Sequence, residues 1–195
     1  KRTGGRMDTV RVDPNVLPVM PVGLVGAMVD GKANFMTAAW FTRVALAPPL
    51  LGVSISNRHH TSRGIAETGM FSLCIPGRGM VAATDYCGLV SGKNVDKAGL
   101  FEVFHGEVGG PPMIRECPLC LELAVTRTVD LVAGTFFIGE ITAAHAHADV
   151  LTDGRPDMAK IDPLLLTMPD NRYFALGEVV GAAWKDGKKL KGEKA

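Results

Sequence analysis

Cationic and hydroxyl-bearing side chains cluster between Asn57 and Arg63, in the run Asn-Arg-His-His-Thr-Ser-Arg. A phosphate group is held well by a guanidinium group, by hydroxyls and by the free N–H groups at the start of a helix. Arg58, Thr61 and Ser62 supply such donors, and Thr61 or Ser62 can serve as the N-cap of a short helix. The cluster therefore predicts a phosphate site. Taken alone, it leaves open the alternative of a capped turn in solvent.

Two further segments can complete such a site. The strip Asn34–Trp40 reads Asn-Phe-Met-Thr-Ala-Ala-Trp, and its polar and aromatic side chains could face a flat ring. The loop Ser91–Lys97 adds two lysines, a serine and an asparagine, although a loop of this kind is by itself more typical of a surface turn. Together, the three segments indicate a phosphorylated aromatic cofactor.

Two glycine motifs offer rival nucleotide sites. Gly77-x-Gly79-x-x-Ala82 matches part of a dinucleotide-binding fingerprint, but Pro76 interrupts the junction and no strong apolar strand follows the helix. We interpret it as a glycine turn that leads into a helix. The run Gly88–Lys93 has one residue too few between its glycines for a P-loop, and Asn94 stands where Ser or Thr should follow.

The cysteines and histidines do not predict a metal site. Cys117-x-x-Cys120 has no second pair at a suitable spacing and leads into a strand, which favours buried or edge thiols. His145 and His147 would share one face of a strand, but without an evident further ligand they are interpreted as surface histidines. The adjacent His59 and His60 would point to opposite faces of an extended chain, so at most one of them is expected to serve a site.

Composition limits the class of protein. The 195 residues are 47% hydrophobic and 21% charged, as in a single folded domain, and the net charge of +1 argues against general nucleic-acid binding. No apolar run approaches the roughly 20 residues that span a bilayer, and four cysteines in a chain of this length favour a reduced, cytoplasmic setting. We expect a leader or expression remnant at 1–10, one domain at 11–185 and a Lys-rich tail at 186–195.

The elements that would position these residues are mostly strands. Alternating apolar residues and turn signals recur at short intervals, with an Asp30-Gly31 hairpin turn and a helix that ends at Gly69. This pattern predicts a mainly β protein with short helices, a closed or split β-barrel. The predicted strands are Val22–Val29, Ala33–Trp40, Leu50–Ser56, Phe71–Ile75, Leu119–Val129 and Phe136–His147. One predicted helix begins after an N-cap at Thr61 or Ser62 and continues through Ala66, and a second spans Met80–Tyr86. The last segment predicted to be ordered is Tyr173–Val180.

In this order, the segments resemble the flavin reductase-like family and, within it, the flavoredoxin branch. The resemblance runs from about Pro18 to Trp184 and is specific as an ordered series rather than in any one motif. It is carried by Pro21–Val25, Asn34–Trp40, Pro48–Leu50, Ser54–Ser56, Arg58–Ser62, Asp85–Gly88, Ser91–Lys97, Ile138–Glu140 and Tyr173–Gly177.

The resemblance implies an FMN-binding split β-barrel that works as a homodimer, with FMN near the subunit interface. Phosphate contacts would come from Arg58, Thr61 and Ser62, while Ser91 and Lys97 would close the site. The remaining implied contacts are Asn34, Thr37 and Trp40 along the ring and ribityl chain, backbone N–H groups around Met36 to Ala38 toward the ring's polar edge, Ser54 and Ser56 in the adjoining strand, and Tyr173 or Phe174 against the ring.

The implied activity is transfer of hydride or electrons from NADH or NADPH to FMN or an acceptor, as in an oxidoreductase. Two alternatives stay open: a non-catalytic electron carrier that exchanges electrons with a partner protein, and a flavin-binding protein without redox turnover. Gly134 departs from the family, in which a His often stands just before this strand. No side-chain contact to flavin is therefore expected from this position.

Overall fold

The computed structural model describes residues 8–106 and 110–191, and β-strands predominate in it. The strands are β1 (Leu17–Pro21), β2 (Gly23–Val29), β3 (Lys32–Ala38), β4 (Phe41–Ala45), β5 (Leu50–Ser56), β6 (Met70–Ile75), β7 (Val103–Phe104), β8 (Met113–Ile114), β9 (Leu119–Asp130), β10 (Gly134–Ala146), β11 (Leu151–Thr152), β12 (Arg155–Pro156), β13 (Leu165–Met168) and β14 (Arg172–Phe174). The helices are α1 (His60–Thr68), α2 (Val81–Leu89) and α3 (Met158–Ile161), with 3₁₀ turns at Arg78–Met80, Ala98–Leu100, Ala148–Val150 and Asp186–Lys191.

Seven strands form the main antiparallel sheet, in the order β3-β2-β6-β9-β10-β5-β4. The predicted β2–β3 hairpin is confirmed: Asp30 and Gly31 both have positive φ, 49° and 74°, as a tight hairpin turn requires. β9 and β10, which are 12 and 13 residues long, form the longest pairing of the sheet. Their bounds extend the predicted strands by one or two residues where they meet at the hairpin. A separate three-stranded sheet has the order β1-β13-β14.

The main sheet curls around an apolar core. Met36 from one edge strand and Val53 from next to the other edge lie in the same buried cluster, with Phe71, Leu123 and Phe137 from the strands between them. Because successive side chains of a strand point to opposite faces, the neighbours of these residues face outward. A second buried cluster covers that outer face, and it includes Leu24, Phe35, Cys74 and Cys120 together with Met113 and Ile114 of β8.

Helix α1 begins earlier than the sequence predicted. Its N-cap is His59, so the prediction of Thr61 or Ser62 as the cap is wrong, and both residues lie buried in the first turn. The reason is a tight turn directly after β5, in which His59 N donates to the Ser56 carbonyl at 3.0 Å. The predicted end is confirmed, because Gly69 adopts the left-handed conformation with φ 67°.

The C-terminal part differs from the prediction in one place. The predicted ordered segment Tyr173–Val180 has strand structure only in β14, and it continues without regular structure beyond Phe174. The predicted tail at 186–195 contains the 3₁₀ turn Asp186–Lys191, with residues 192–195 outside the described ranges. Of the predicted leader, residues 1–7 likewise lie outside them. Over residues 8–106 and 110–191, no helix has the length and apolarity that crossing a membrane requires.

Candidate functional site

The start of α1 opens onto a cavity of about 220 Å³ between β3 and the end of α2. Six of the predicted site residues line this cavity together: Met36, Thr37, Arg58, Thr61, Ser91 and Lys97. They come from β3, from α1 with its preceding turn, and from the loop after α2, which are the three segments that the sequence singled out. The rest of the lining is His59, His60, Gly92 and the end of α2 from Cys87 to Val90.

The helix start is arranged to receive an anion. His59 makes no capping hydrogen bond through its side chain, and the first turn of α1 contains no acidic residue. The first N–H groups of a helix have no partner inside the helix and carry partial positive charge. With Arg58 immediately before and Thr61 inside the first turn, this end of α1 presents charge and donors to the cavity.

A buried polar atom of a cavity-lining residue, His60 Nδ1, has no hydrogen-bond partner among the described residues. Within the part of the chain that the structure describes, His60 Nδ1 and Thr84 Oγ1 are buried without a hydrogen bond. Thr84 is fully buried on α2, and its carbonyl accepts a hydrogen bond from the Thr37 hydroxyl. Unpaired buried polar groups are costly, so a ligand in the cavity that forms a hydrogen bond with His60 Nδ1 would recover part of that cost.

Both histidines favour the neutral form. Burial, assisted by the Lys97 charge, lowers the pKa of His59 below its ordinary value. Burial and the Arg63 guanidinium likewise lower the pKa of His60, although Asp30 opposes the change. A neutral His60 can either donate or accept at Nδ1, depending on the tautomer. The cations of the site therefore come from arginine and lysine.

Lys97 is buried and holds the end of α2. Its Nζ donates to the carbonyls of Cys87 and Val90, both at 3.1 Å, and its side chain is 3% exposed. Burial lowers the pKa of Lys97, while the neighbouring Cys87 acts in the opposite direction. An ammonium group has three protons, so one remains for a ligand in the cavity that Lys97 lines. Lys97 thus combines a structural role with a charge at the site.

Asn34 lies beside the cavity rather than in it. Its Nδ2 donates to Thr61 Oγ1 at 2.6 Å. This hydrogen bond orients the hydroxyl of Thr61, one of the residues predicted to bind the phosphate. Asn34 lines an adjoining cavity of about 490 Å³, and His60, Gly92 and Lys97 border both cavities. A methyl group at Gly92 would overlap the Asn34 side-chain oxygen, so a larger residue at position 92 would require the Asn34 side chain to move.

The structure places the other predicted contacts outside the cavity, and their roles stay predictions. Ala38 is buried in the inner core, and Ser62 lines a different cavity on the far side of α1. Ser56 Oγ accepts from Arg58 N at 3.4 Å. Trp40 and Ser54 line an exposed apolar groove.

Tyr173 and Phe174 also lie apart from the cavity. The Tyr173 hydroxyl donates to Asp85 Oδ1 at 3.0 Å, and Phe174 is 46% exposed. Burial, the hydrogen bond to Asp85 and the Asp85 charge raise the pKa of Tyr173 to about 12. Tyr173 therefore stays protonated and links β14 to α2.

Sequence reasoning missed part of this lining. It allowed at most one of His59 and His60 in a site, whereas both line the cavity, because the chain turns into α1 here instead of staying extended. It also gave no role to the end of α2. Gly88 and Gly92, on either side of the point where α2 ends, could have indicated this part of the lining. Glycine permits close approach of the backbone to a ligand.

The remaining motifs have other structural roles. Gly77–Ala82 forms a turn and the start of α2, which leads into a loop and not into a strand, as interpreted. The expectation of buried thiols is confirmed, since all four cysteines are buried and free. In the described ranges, no three His, Cys, Asp or Glu side chains are arranged to hold a metal ion. His147 is exposed as expected, but His145 is partly buried against Glu122.

Gly134 is required by close packing between strands. It pairs with Ser56 at the start of β10, and a methyl carbon at this position would lie 2.5 Å from the Ile55 carbonyl oxygen. A distance of 2.5 Å is too short for a real Cβ atom. In this chain, a larger residue in place of glycine would displace β5 from β10.

Comparisons with known proteins identify the family of the chain. Residues 19–176 match the sequence model of the flavin reductase like domain. The fold is similar to that of flavoredoxin from Methanosarcina acetivorans, with 52% identity and a TM-score of 0.92 over 94% of this chain and 100% of the other. Flavoredoxin of Desulfovibrio vulgaris (Miyazaki F) is 34% identical, with a TM-score of 0.87 over 93% of this chain and 100% of the other. An FMN-binding protein from Thermus thermophilus is 27% identical, with a TM-score of 0.76 over 90% and 99%.

The fold is therefore that of a split β-barrel, and the predicted fold class is confirmed. The chain belongs to the flavin reductase-like family.

Proposed function

We propose that the chain binds FMN in the cavity at the start of α1 and exchanges hydride or electrons through it. The observation that carries the proposal is the uncapped start of α1, which faces the same cavity as Arg58, Thr61 and Lys97. A single phosphate suits such a helix start. The strand β3, which lines the opposite wall with Met36 and Thr37, suits a flat ring.

Each wall of the cavity has its own task in this proposal. Arg58, Thr61 and the first N–H groups of α1 hold the phosphate, and Asn34 orients the Thr61 hydroxyl. β3 is an edge strand of the main sheet, so part of its backbone N–H groups point away from β2 toward a ligand. The ammonium group of Lys97 adds positive charge and one N–H donor that is not used by the carbonyls of Cys87 and Val90. Donors and charge of this kind stabilise negative charge on a bound ring.

When bound, FMN supplies the redox chemistry, and the protein supplies binding, orientation and electrostatics. The hydride donor in this proposal is NADH or NADPH. No residue has to act as nucleophile or general base.

A second candidate is a flavoredoxin-type electron carrier that exchanges electrons with a partner protein. The 52% identity to the Methanosarcina acetivorans flavoredoxin favours it. Both candidates need the same FMN site, so the distinction lies in the electron donor.

We also propose that the working form is a homodimer. Trp40 lies in an exposed groove of about 490 Å³ with Leu17, Val19, Phe41 and Phe136, all of them apolar. Val179, Val180 and Trp184 are 87%, 99% and 91% exposed. An exposed groove with an apolar lining is typical of an interface, and Val179, Val180 and Trp184, which lie outside that lining, are a second exposed apolar surface. A second copy that covers the groove would bury Trp40 and Ser54 at the interface between the two copies, next to β3.

The test of FMN binding is titration of the flavin-free protein with FMN and with riboflavin, followed by flavin fluorescence. FMN should bind far more tightly than riboflavin, because only FMN has the phosphate. Equal affinity for both, or no binding of either, would contradict the proposed site.

Anaerobic mixing of the FMN-loaded protein with NADH or NADPH then separates the two candidates. Rapid bleaching of the flavin absorbance supports the reductase. Flavin that stays oxidised with both nucleotides, but is reduced by a low-potential ferredoxin, supports the carrier.

A further inference from the structure

A row of reactive side chains crosses the outer face of the main sheet, away from the proposed flavin site. Cys74 on β6, Cys120 on β9 and His145 on β10 are direct partners in neighbouring strand pairs. Side chains of directly opposed residues in an antiparallel pair project to the same face. Cys117 lies just before β9, and its Sγ is 3.8 Å from Met80 Sδ. The Cys-x-x-Cys and His-x-His motifs, which the proposed function does not use, thus converge in one place.

A cavity of about 210 Å³ opens beside this row. It is lined by Arg115, Cys117, Cys120, His145 and His147, among others, and it shares no lining residue with the proposed flavin cavity. The His145 ring is held by the buried Glu122, with Nε2 to Oε1 at 2.6 Å, and His147 Nε2 lies 2.7 Å from the Arg115 carbonyl. Each of these bonds engages one ring nitrogen, Nε2, and the groups of the cavity that oxidation can change are its thiols.

The thiols also affect one another's protonation. Burial disfavours the thiolate of Cys74, but hydrogen bonds with Cys117 and Cys120 reverse the balance and hold its pKa well below the ordinary value. The pKa of Cys117 is raised, above all by its hydrogen bonds with Cys120 and Cys74. Among these cysteines, Cys74 is therefore favoured as the thiolate, and its neighbours are favoured as thiol donors. A thiolate beside a protonated thiol is the pair that oxidation to a disulfide requires.

We propose that Cys74 and Cys120 form a reversible disulfide when a hydroperoxide enters this cavity. Directly opposed residues of antiparallel strands have Cα atoms about 4.5–5.5 Å apart. Disulfides form over Cα separations of about 4.4–6.8 Å, so the backbone of β6 and β9 need not move. Cys120 lines the cavity and Cys74 lies directly behind it in the row.

The reaction balances with the hydroperoxide as the oxidant. Cys120, which lines the cavity, passes its proton to the Cys74 thiolate and attacks a peroxide oxygen; the O–O bond breaks, which gives a sulfenic acid on Cys120 and a hydroxide that takes up a proton to form water. The second thiol then attacks the sulfenic sulfur, the S–O bond breaks, and a second water leaves with the thiol proton. The two sulfurs lose two electrons in total, and hydrogen peroxide gains them. His145, the strand partner of Cys120, is placed to relay the proton.

Peptide mapping of the full-length protein tests the proposal. The protein is treated with hydrogen peroxide, free thiols are alkylated, and the chain is digested without a reductant. The expected product is a linked peptide pair containing Cys74 and Cys120, lighter by two hydrogen atoms than the sum of its reduced parts and separated again by dithiothreitol. The Cys120→Ser variant should lose this link. Cys87→Ser, which removes a buried thiol outside the row, should keep it.

The wild-type result alone can overturn the proposal, whatever the variants do to folding. Four alkylated cysteines after peroxide treatment, or a link that joins other cysteines, would contradict it. So would stoichiometric zinc in the purified protein that protects the thiols until a chelator removes it. The inference goes beyond the proposed function, because its result does not depend on whether the protein binds FMN.

Discussion

Arg58 and Thr61 carry the recognition of phosphate at the level of single residues. Hydrogen bonds to a charged group are worth about 1.5–3 kcal/mol, which is about tenfold to a hundredfold in Kd. We therefore expect Arg58→Ala and Thr61→Val each to weaken FMN binding by about that factor while riboflavin binding changes little. Fluorescence titration with both flavins measures the difference. Arg127→Ala, an exposed arginine on β9, is the matched control and should leave both affinities unchanged.

Equal losses for FMN and riboflavin in the Arg58 and Thr61 variants would mean that the phosphate binds elsewhere. The lysines of the adjoining cavity, Lys32 and Lys93, would then be the next candidates.

His59 and His60 link the same site to pH. Their pKa values lie below the ordinary 6.5, chiefly because of burial. Between the lowered folded-state pKa and 6.5, the unfolded chain binds more protons than the folded chain. The free energy of unfolding should therefore fall as the pH drops through this window, and their contribution should be complete above it. Urea unfolding at about pH 7.5 and about pH 5.5 measures the effect.

The double variant His59→Gln/His60→Gln is the comparison for this pH dependence. It should lose less stability than the wild type over the same interval. A decline as steep as that of the wild type would assign the effect to other groups.

At the scale of elements, the pairing of β5 with β10 depends on Gly134. Overpacking of a filled site typically costs about 1–3 kcal/mol. Because a methyl group at Gly134 would press on the Ile55 backbone, we expect Gly134→Ala to lower the free energy of unfolding by about that amount. Urea denaturation measures it. At Gly177 nothing lies within 4 Å of an added methyl group, so Gly177→Ala should be close to neutral. Equal stability of the two variants would show that β5 can yield.

The elements also show what the sequence could reveal. The β2–β3 hairpin and the end of α1 were predictable, because Asp30-Gly31 and Gly69 act through local backbone conformation. The start of α1 was not predictable, because a turn made by the Ser56 carbonyl sets it. The placement of Lys97 under the end of α2 was equally hidden, because it depends on tertiary packing. Local sequence patterns predicted which segments form the site. Only the fold shows which of their side chains already form hydrogen bonds within the protein, as Lys97 and Asn34 do.

At the scale of the whole molecule, the apolar groove around Trp40 is the surface that we propose a second copy covers. Val19 lines this groove, is 55% exposed and was not among the predicted FMN contacts. If a second copy covers the groove, a glutamate there would be buried without a partner, which is strongly unfavourable. We therefore expect Val19→Glu to shift the protein from dimer to monomer in analytical ultracentrifugation.

FMN affinity should fall together with the dimer, because the partner would cover the ring side of the site next to β3. Val132→Glu is the matched control: Val132 is fully exposed on the turn between β9 and β10 and should tolerate the charge in both measurements. A wild-type protein that is monomeric at micromolar concentration and still binds FMN tightly would remove the homodimer from the proposal. It would leave the cavity at the start of α1 as a complete site within one chain. A dimer that survives Val19→Glu would place the interface on another surface, and the exposed residues Val179, Val180 and Trp184 would be the next to test.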